Sequence, residues 1–257
     1  MKAVKILILV GLLAHNPLYA EQSKTTEWSM AIPDSIETSR ICTPRTLLCY
    51  QYDRLSSGDD EIESQNLHGF AIEKLVIFSV SKSFPIFIET GIGANIGWGK
   101  SSFDRSFEIS GIKAAEGKVK QQLTAISLTI PVNVSYKVNI NKSLALQPFL
   151  GLNLKFNLFG QQKTKIEVAD KTIQKEVEKW NVGDYAENLG IARTRDMFDK
   201  IDTDKDERWR RFQLGWHIGV GLTTEDVYFG ISYGTDFIKL SEKINSSTLK
   251  VSLGSNF

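Results

Sequence analysis

Long hydrophobic runs are missing from this chain. After residue 20 nothing approaches the roughly 20 consecutive apolar residues that a helix needs to cross a bilayer, which excludes a helical membrane protein. An excess of either charge is missing too. Lys and Arg number 31 against 30 Asp and Glu, for a formal net charge of +1. A phosphate backbone demands a basic excess, so nucleic acid is not expected as a partner. Cysteine is scarce: Cys42 and Cys49, seven positions apart, are the only two. Two cysteines do not make a metal site. In an oxidising compartment they either pair as a local disulfide staple or stay free. Neither a cofactor nor a metal is expected.

The first twenty residues stand apart from the rest. Lys2 and Lys5 precede the apolar run Ile6 to Ala14, and a small residue, Ala20, follows. A basic start, a short apolar core and a small residue at the cut describe a secretory signal peptide over 1–20. Residues 21–44 are polar and irregular, with Pro33 and Pro44, and read as an N-terminal extension.

From there the dominant signal is alternation with period two, the mark of β-strands. Phe212, Leu214, Trp216, Ile218, Val220 and Leu222 share one face, opposed by Arg211, Gln213, Gly215, His217, Gly219 and Gly221. Val227, Phe229, Ile231 and Tyr233 likewise oppose Tyr228, Gly230, Ser232, Gly234 and Asp236. Similar segments start near Ile86, Thr124, Leu144 and Leu249, and a less regular one spans Phe70 to Val80, where Lys74 interrupts the apolar face. Several exceed the usual five to six residues of a globular strand and fit the roughly 9–11 of a membrane-crossing one.

The connections alternate in length. Those at 81–85, 138–142 and 223–226 are short, while those at 100–119 and 160–208 are long. Bacterial outer-membrane barrels have short periplasmic turns, longer extracellular loops and an even strand count. Seven segments therefore require an eighth, placed at Arg45 to Leu55. The expectation is all-β: a closed up-and-down antiparallel transmembrane barrel of eight strands over 45–257, with long extracellular loops.

Composition assigns the two faces. The polar face is rich in Gly, Ser, Asn and Gln, suited to a narrow lumen that has room only for side chains. The apolar face carries aromatic residues on or near strand ends, including Trp98, Trp209, Trp216, Tyr136, Tyr228 and Tyr233, as membrane-interface girdles require. A soluble periplasmic barrel binding an apolar ligand is the alternative, with the faces inverted.

The last strand, Leu249 to Phe257, ends on an aromatic residue and resembles the terminal strand by which outer-membrane barrels are recognised for assembly. Residues 68–257 more broadly resemble the porin-like outer-membrane β-barrel family common in Bacteroidetes. The likeness is carried by Phe84 to Gly93, Leu128-Thr129-Ile130-Pro131, Gln147 to Leu152 and Gly215 to Leu222. It implies a fold and a location, with Phe257 as assembly signal and the barrel-assembly machinery as partner. It implies no catalytic set.

Candidate chemistry is sparse. His217 shares the predicted lumen face with Glu89 and Asp236, and a hydrolase needs a histidine oriented by a carboxylate. The stronger reading is a polar network filling the barrel, with His217 beside Glu73, Glu89, Lys137, Lys155, Arg211, Asp236 and Lys250, these charges paired across the lumen because buried charges must be paired. Asp202, Asp204 and Asp206 have the spacing of a calcium loop, but Glu207 and Gln213 stand where its glycine and final glutamate belong. Within the 160–208 loop, Lys163 to Trp180 forms either an amphipathic helix or an extension of a hairpin above the membrane; long connections often carry function.

Together these features point to a non-enzymatic outer-membrane barrel with a filled lumen, surrounded by outer-membrane lipid and meeting an envelope or extracellular partner through the 160–208 loop. A narrow porin-like channel is the second reading. Amino-terminal sequencing of the mature protein is expected to start at Glu21; a start at Met1 in the envelope fraction would refute the signal peptide.

Overall fold

The computed structural model describes residues 42–57, 64–81, 84–106, 116–168, 192–200 and 208–256. The signal peptide, the residues 21–41 of the extension, the Asp202 to Asp206 run and Phe257 lie outside these.

Period-two alternation becomes eight long strands: β1 (Cys42–Ser57), β2 (Gln65–Ser79), β3 (Ile86–Ser106), β4 (Glu116–Tyr136), β6 (Ala145–Val168), β8 (Phe212–Thr223), β9 (Val227–Asp236) and β10 (Ile244–Asn256). Two short pieces join them, β5 (Val138–Asn139) and β7 (Ala192–Asp196). Every long strand pairs antiparallel with its neighbours in sequence order. β1 also pairs β10, from Arg45 opposite Asn256 to Ser57 opposite Ile244, which closes the ring.

Parity places a strand at 45–55 in the sequence; in the structure it begins earlier. β1 starts at Cys42 and includes Pro44, so the extension ends before it. The faces fall as composition indicates. On β1, Leu48 and Tyr50 point outward while Leu47 and Cys49 are buried inside. On β2, Phe70, Ile72 and Lys74 are exposed, whereas Leu67, Ala71, Glu73 and Leu75 are buried. Lys74 thus interrupts the outer, lipid-facing band.

The extended strand excludes the Cys42–Cys49 pairing. Seven residues of strand separate two Cα atoms by about 23 Å, and a disulfide needs less than about 7 Å. Cys49 is a buried free thiol that donates to Ser252 Oγ at 3.3 Å.

All short connections lie at one end of the barrel and all long ones at the other. At the long-loop end the strands outrun the membrane: β3 and β4 have 21 residues each and β6 has 24, against about 9–11 for a crossing. The predicted loop at 160–208 is therefore partly sheet. β6 runs on to Val168 and is met again by β7, Gln161 opposite Asp196 and Lys165 opposite Ala192. Over 163–168 this is the hairpin extension; the rest of the Lys163 to Trp180 segment lies outside the described residues. A bulge marks where β6 leaves the membrane band: Ile126 faces Phe159 and Ser127 faces Asn157, so Leu158 is the extra residue.

A closed ring of this kind resists detergent until heated. The envelope protein is expected in the outer-membrane fraction, with a gel mobility that shifts on boiling. Soluble recovery without a shift would refute the lipid-facing outer surface.

Candidate functional site

The lumen is filled in layers. At the short-turn end, Arg45 from β1 reaches across the barrel. Its Nε donates to Asn256 Oδ1 at 2.8 Å and its Nη2 to Gln147 Oε1 at 3.2 Å, while Nη1 lies 3.6 Å from Glu89 Oε2. Glu89 also accepts from Ser135 Oγ at 2.8 Å and Gln147 Nε2 at 2.5 Å. The guanidinium sits 4.1 Å from the centroid of the Tyr228 ring, a cation–π contact in a desolvated setting. That ring needs two glycines: a Cβ on Gly221 or Gly230 would collide with it. Tyr228 and Trp209 are therefore interior residues, each 4% exposed, rather than girdle residues. Trp98, Tyr136 and Tyr233 do face outward.

The middle layer holds a second ion pair. Lys250 Nζ donates to Glu73 Oε1 at 2.7 Å, with both side chains largely buried. His217 Nε2 lies 2.7 Å from Asn133 Oδ1, and its ring meets Phe149 edge-on at 5.9 Å. Asn95 Nδ2 donates to Ser127 Oγ at 3.3 Å.

The outer layer joins Asn157, Gln213 and Asp236 in a chain. Asn157 Nδ2 donates to Gln213 Oε1 at 2.8 Å, and Gln213 Nε2 to Asp236 Oδ2 at 2.8 Å. Thr248 Oγ1 donates to Asp53. Here Asp53, Asp236, Lys155 and Asn95 border a cavity of ≈ 40 Å³, enough for about three waters. Two atoms in its wall, Asn95 Oδ1 and Trp209 Nε1, have no hydrogen-bond partner among the described residues. Water in the cavity is the natural way to satisfy such groups.

Above the cavity the polar lumen ends in an apolar lid. Met197 and Trp209 from the long connection and Leu240 from the β9–β10 connection pack on Leu55, Leu67 and Leu123 of the strands. Backbone bonds hold the lid: Met197 N to Gly160 O at 2.9 Å, Trp209 N to Met197 O at 2.8 Å and Arg210 N to Leu240 O at 2.6 Å.

Of the expected network residues, Glu73, Glu89, Lys155, His217, Asp236 and Lys250 face the lumen but occupy different layers. Arg211 does not join them. It precedes β8, is exposed, donates to Leu158 O at 3.1 Å and stacks over Phe198 at 4.1 Å. The charge that anchors Glu89 is Arg45, which alternation from the ragged start of β1 did not single out. His217 bonds an amide and neither Glu89 nor Asp236, so the histidine–carboxylate relay of a hydrolase is not assembled. Among the described residues no group of three His, Cys, Asp or Glu is placed to hold a metal.

A half-removed buried ion pair leaves a lone charge, at a cost of about 3–5 kcal/mol. Lys250→Met is expected to lose about that much in urea unfolding from lipid vesicles. Adding Glu73→Leu should restore much of the loss; additive losses would refute the coupling.

No curated protein matches the chain. Among solved structures, Ail of Yersinia pestis, in complex with the heparin analogue sucrose octasulfate, is 13% identical with a TM-score of 0.34, covering 84% of this chain and 99% of its own. Neisserial surface protein A (NspA) is 12% identical with a TM-score of 0.35, covering 83% and 95%. The sequence evidence for kinship is a family model, outer membrane protein beta-barrel domain, which matches residues 54–237, more than half of the chain. With that match, and with a closed ring of eight antiparallel strands, the chain belongs to the outer membrane protein beta-barrel domain family, and its place is the bacterial outer membrane.

Proposed function

We propose that this protein is a non-enzymatic, non-conducting barrel that presents its β6–β7 extension outward as an interaction element. The observation that carries this reading is the double closure of the lumen. Arg45, Glu89, Gln147 and Asn256 knit across the periplasmic end, and the lid around Met197, Trp209 and Leu240 covers the other. An ion crossing the barrel would meet a cross-linked charged layer and an apolar one, the second of which excludes it by dewetting. Eight strands leave no space for a detour.

The separation of His217 from Glu89 and Asp236 supports the non-enzymatic part. The projecting sheet of β3, β4, β6 and β7 supports the interaction role: it stands beyond the membrane band, where side chains are free to meet an envelope or extracellular partner, and long connections often carry function. The barrel-assembly machinery, with Phe257 as its signal, is the partner expected during insertion.

Planar-bilayer recording of the purified barrel is expected to show no steady unitary conductance. Trp209→Ala combined with Met197→Ala should still fail to give stable steps, because the Arg45 layer remains. Reproducible open steps from the unaltered chain would overturn the reading in favour of a channel.

A further inference from the structure

We propose that the cavity beneath the lid holds one monovalent cation, sodium or potassium, with part of its water shell. Among the described residues, three ionisable side chains line this cavity: Asp53 on β1, Lys155 on β6 and Asp236 on β9. Two carboxylates against one lysine leave a single negative charge without compensation. Neither carboxylate stands in an ion pair among the described residues; Asp53 accepts from Thr248 Oγ1, and Asp236 from Gln213 Nε2 at 2.8 Å. One layer down, Lys250 is spent on Glu73 at 2.7 Å. Above, the lid cluster is apolar. Arg210 and Arg211, which follow Trp209, are exposed and line no part of the cavity. A buried charge must be compensated to be tolerated.

A second observation points to the same space. Asn95 is 7% exposed, and its Nδ2 is directed to Ser127 Oγ at 3.3 Å and Thr129 Oγ1 at 3.5 Å. Its Oδ1 is left for the cavity it lines, and it has no hydrogen-bond partner among the described residues. Gln51, Ser127, Thr129 and Asn153 add neutral oxygens to the wall. Hard cations take oxygen ligands of this kind. A proton on one carboxylate would settle the charge and leave Asn95 Oδ1 unmet; a water alone would do the reverse. A cation bound at Asn95 Oδ1 settles both, and a water in its shell can accept from Trp209 Nε1. Charge and size set the valence. The deficit is one, and among the described residues no third His, Cys, Asp or Glu completes a metal-holding group. The cavity of ≈ 40 Å³ admits about three particles of water size, one ion and two waters. Held between the lid and the Arg45 layer, the ion braces the fold and carries no current. Its presence is independent of which partner the β6–β7 extension meets.

The test is urea unfolding of the full mature chain from vesicles of zwitterionic phosphatidylcholine. NaCl, KCl and choline chloride are compared at one ionic strength, about 0.15 M. Screening is then equal, and choline is too large for the cavity. A site half-filled near a tenth of that salt lowers the unfolding constant about 10-fold in NaCl or KCl relative to choline chloride. Asp236→Asn keeps an acceptor for Gln213 but removes the charge, and is expected to abolish the difference, with the mobility shift on boiling showing that the barrel has formed. Lys155→Gln doubles the deficit and should enlarge the response and add one to CaCl2. Midpoints that coincide in all three salts for the unaltered chain would overturn the proposal and assign the missing charge to a proton on a carboxylate. A full response kept by Asp236→Asn, or none gained by Lys155→Gln, would also overturn it and place the cation effect elsewhere.

Discussion

Hydrocarbon offers no hydrogen bonds, so a sheet in a membrane cannot have an edge. The pairing of β1 with β10 along its length from Arg45 to Ser57 removes the last one. Everything else is arranged around that closure. Because the ring closes at eight strands, the lumen is narrow, and what points inward is packed across it, with its polar groups bonded to one another. Because the outside is lipid, residues that would form the core of a soluble protein, such as Leu48, Ile92, Leu150 and Leu253, stand on the surface.

The interior therefore inverts the usual organisation of a globular protein. Its most buried side chains include Gln213, Ser135 and Ser241, beside one apolar group of Leu47, Cys49, Ala71 and Leu75. Charge is handled by distribution among layers. Arg45 meets Glu89 near the periplasmic mouth and Lys250 meets Glu73 midway, each pair supplemented by neutral donors or acceptors. Two buried ion pairs at different depths brace different strands: the first ties β1 to β3, the second β2 to β10. The barrel is cross-linked through its middle as well as around its wall.

Much of this was legible in the sequence, because strand period and loop alternation are local and cumulative. Eight segments, their order, and the outward face of Phe212 to Leu222 followed from them. Pairing partners did not. A strand pattern says that Glu89 points inward, but not which cation among several inward ones lies across the lumen; that depends on barrel tilt and register. Arg211 had the right parity and failed because β8 begins one residue later, leaving it to stack on Phe198 outside. As aromatic rings, Tyr228 and Trp209 suit an interface girdle; glycines at 221 and 230 instead open an interior slot for Tyr228, and the lid buries Trp209. The cysteine spacing carried no information about strand direction, and one extended β1 is enough to keep Cys49 unpaired.

The single extra residue at Leu158 reaches beyond its local kink. Below it, β6 is locked into the register and inside–outside parity that the bilayer imposes. Above it, the count restarts, and the strand answers only to β4 and β7. The bulge thus works as a clutch between two sequences with different obligations, one constrained by lipid and one by whatever the cell surface encounters. A lineage can rewrite the projecting hairpin, lengthening it, shortening it or changing its charge, with the membrane band left in phase. The same joint marks where a foreign segment could be grafted for display with the barrel beneath it undisturbed.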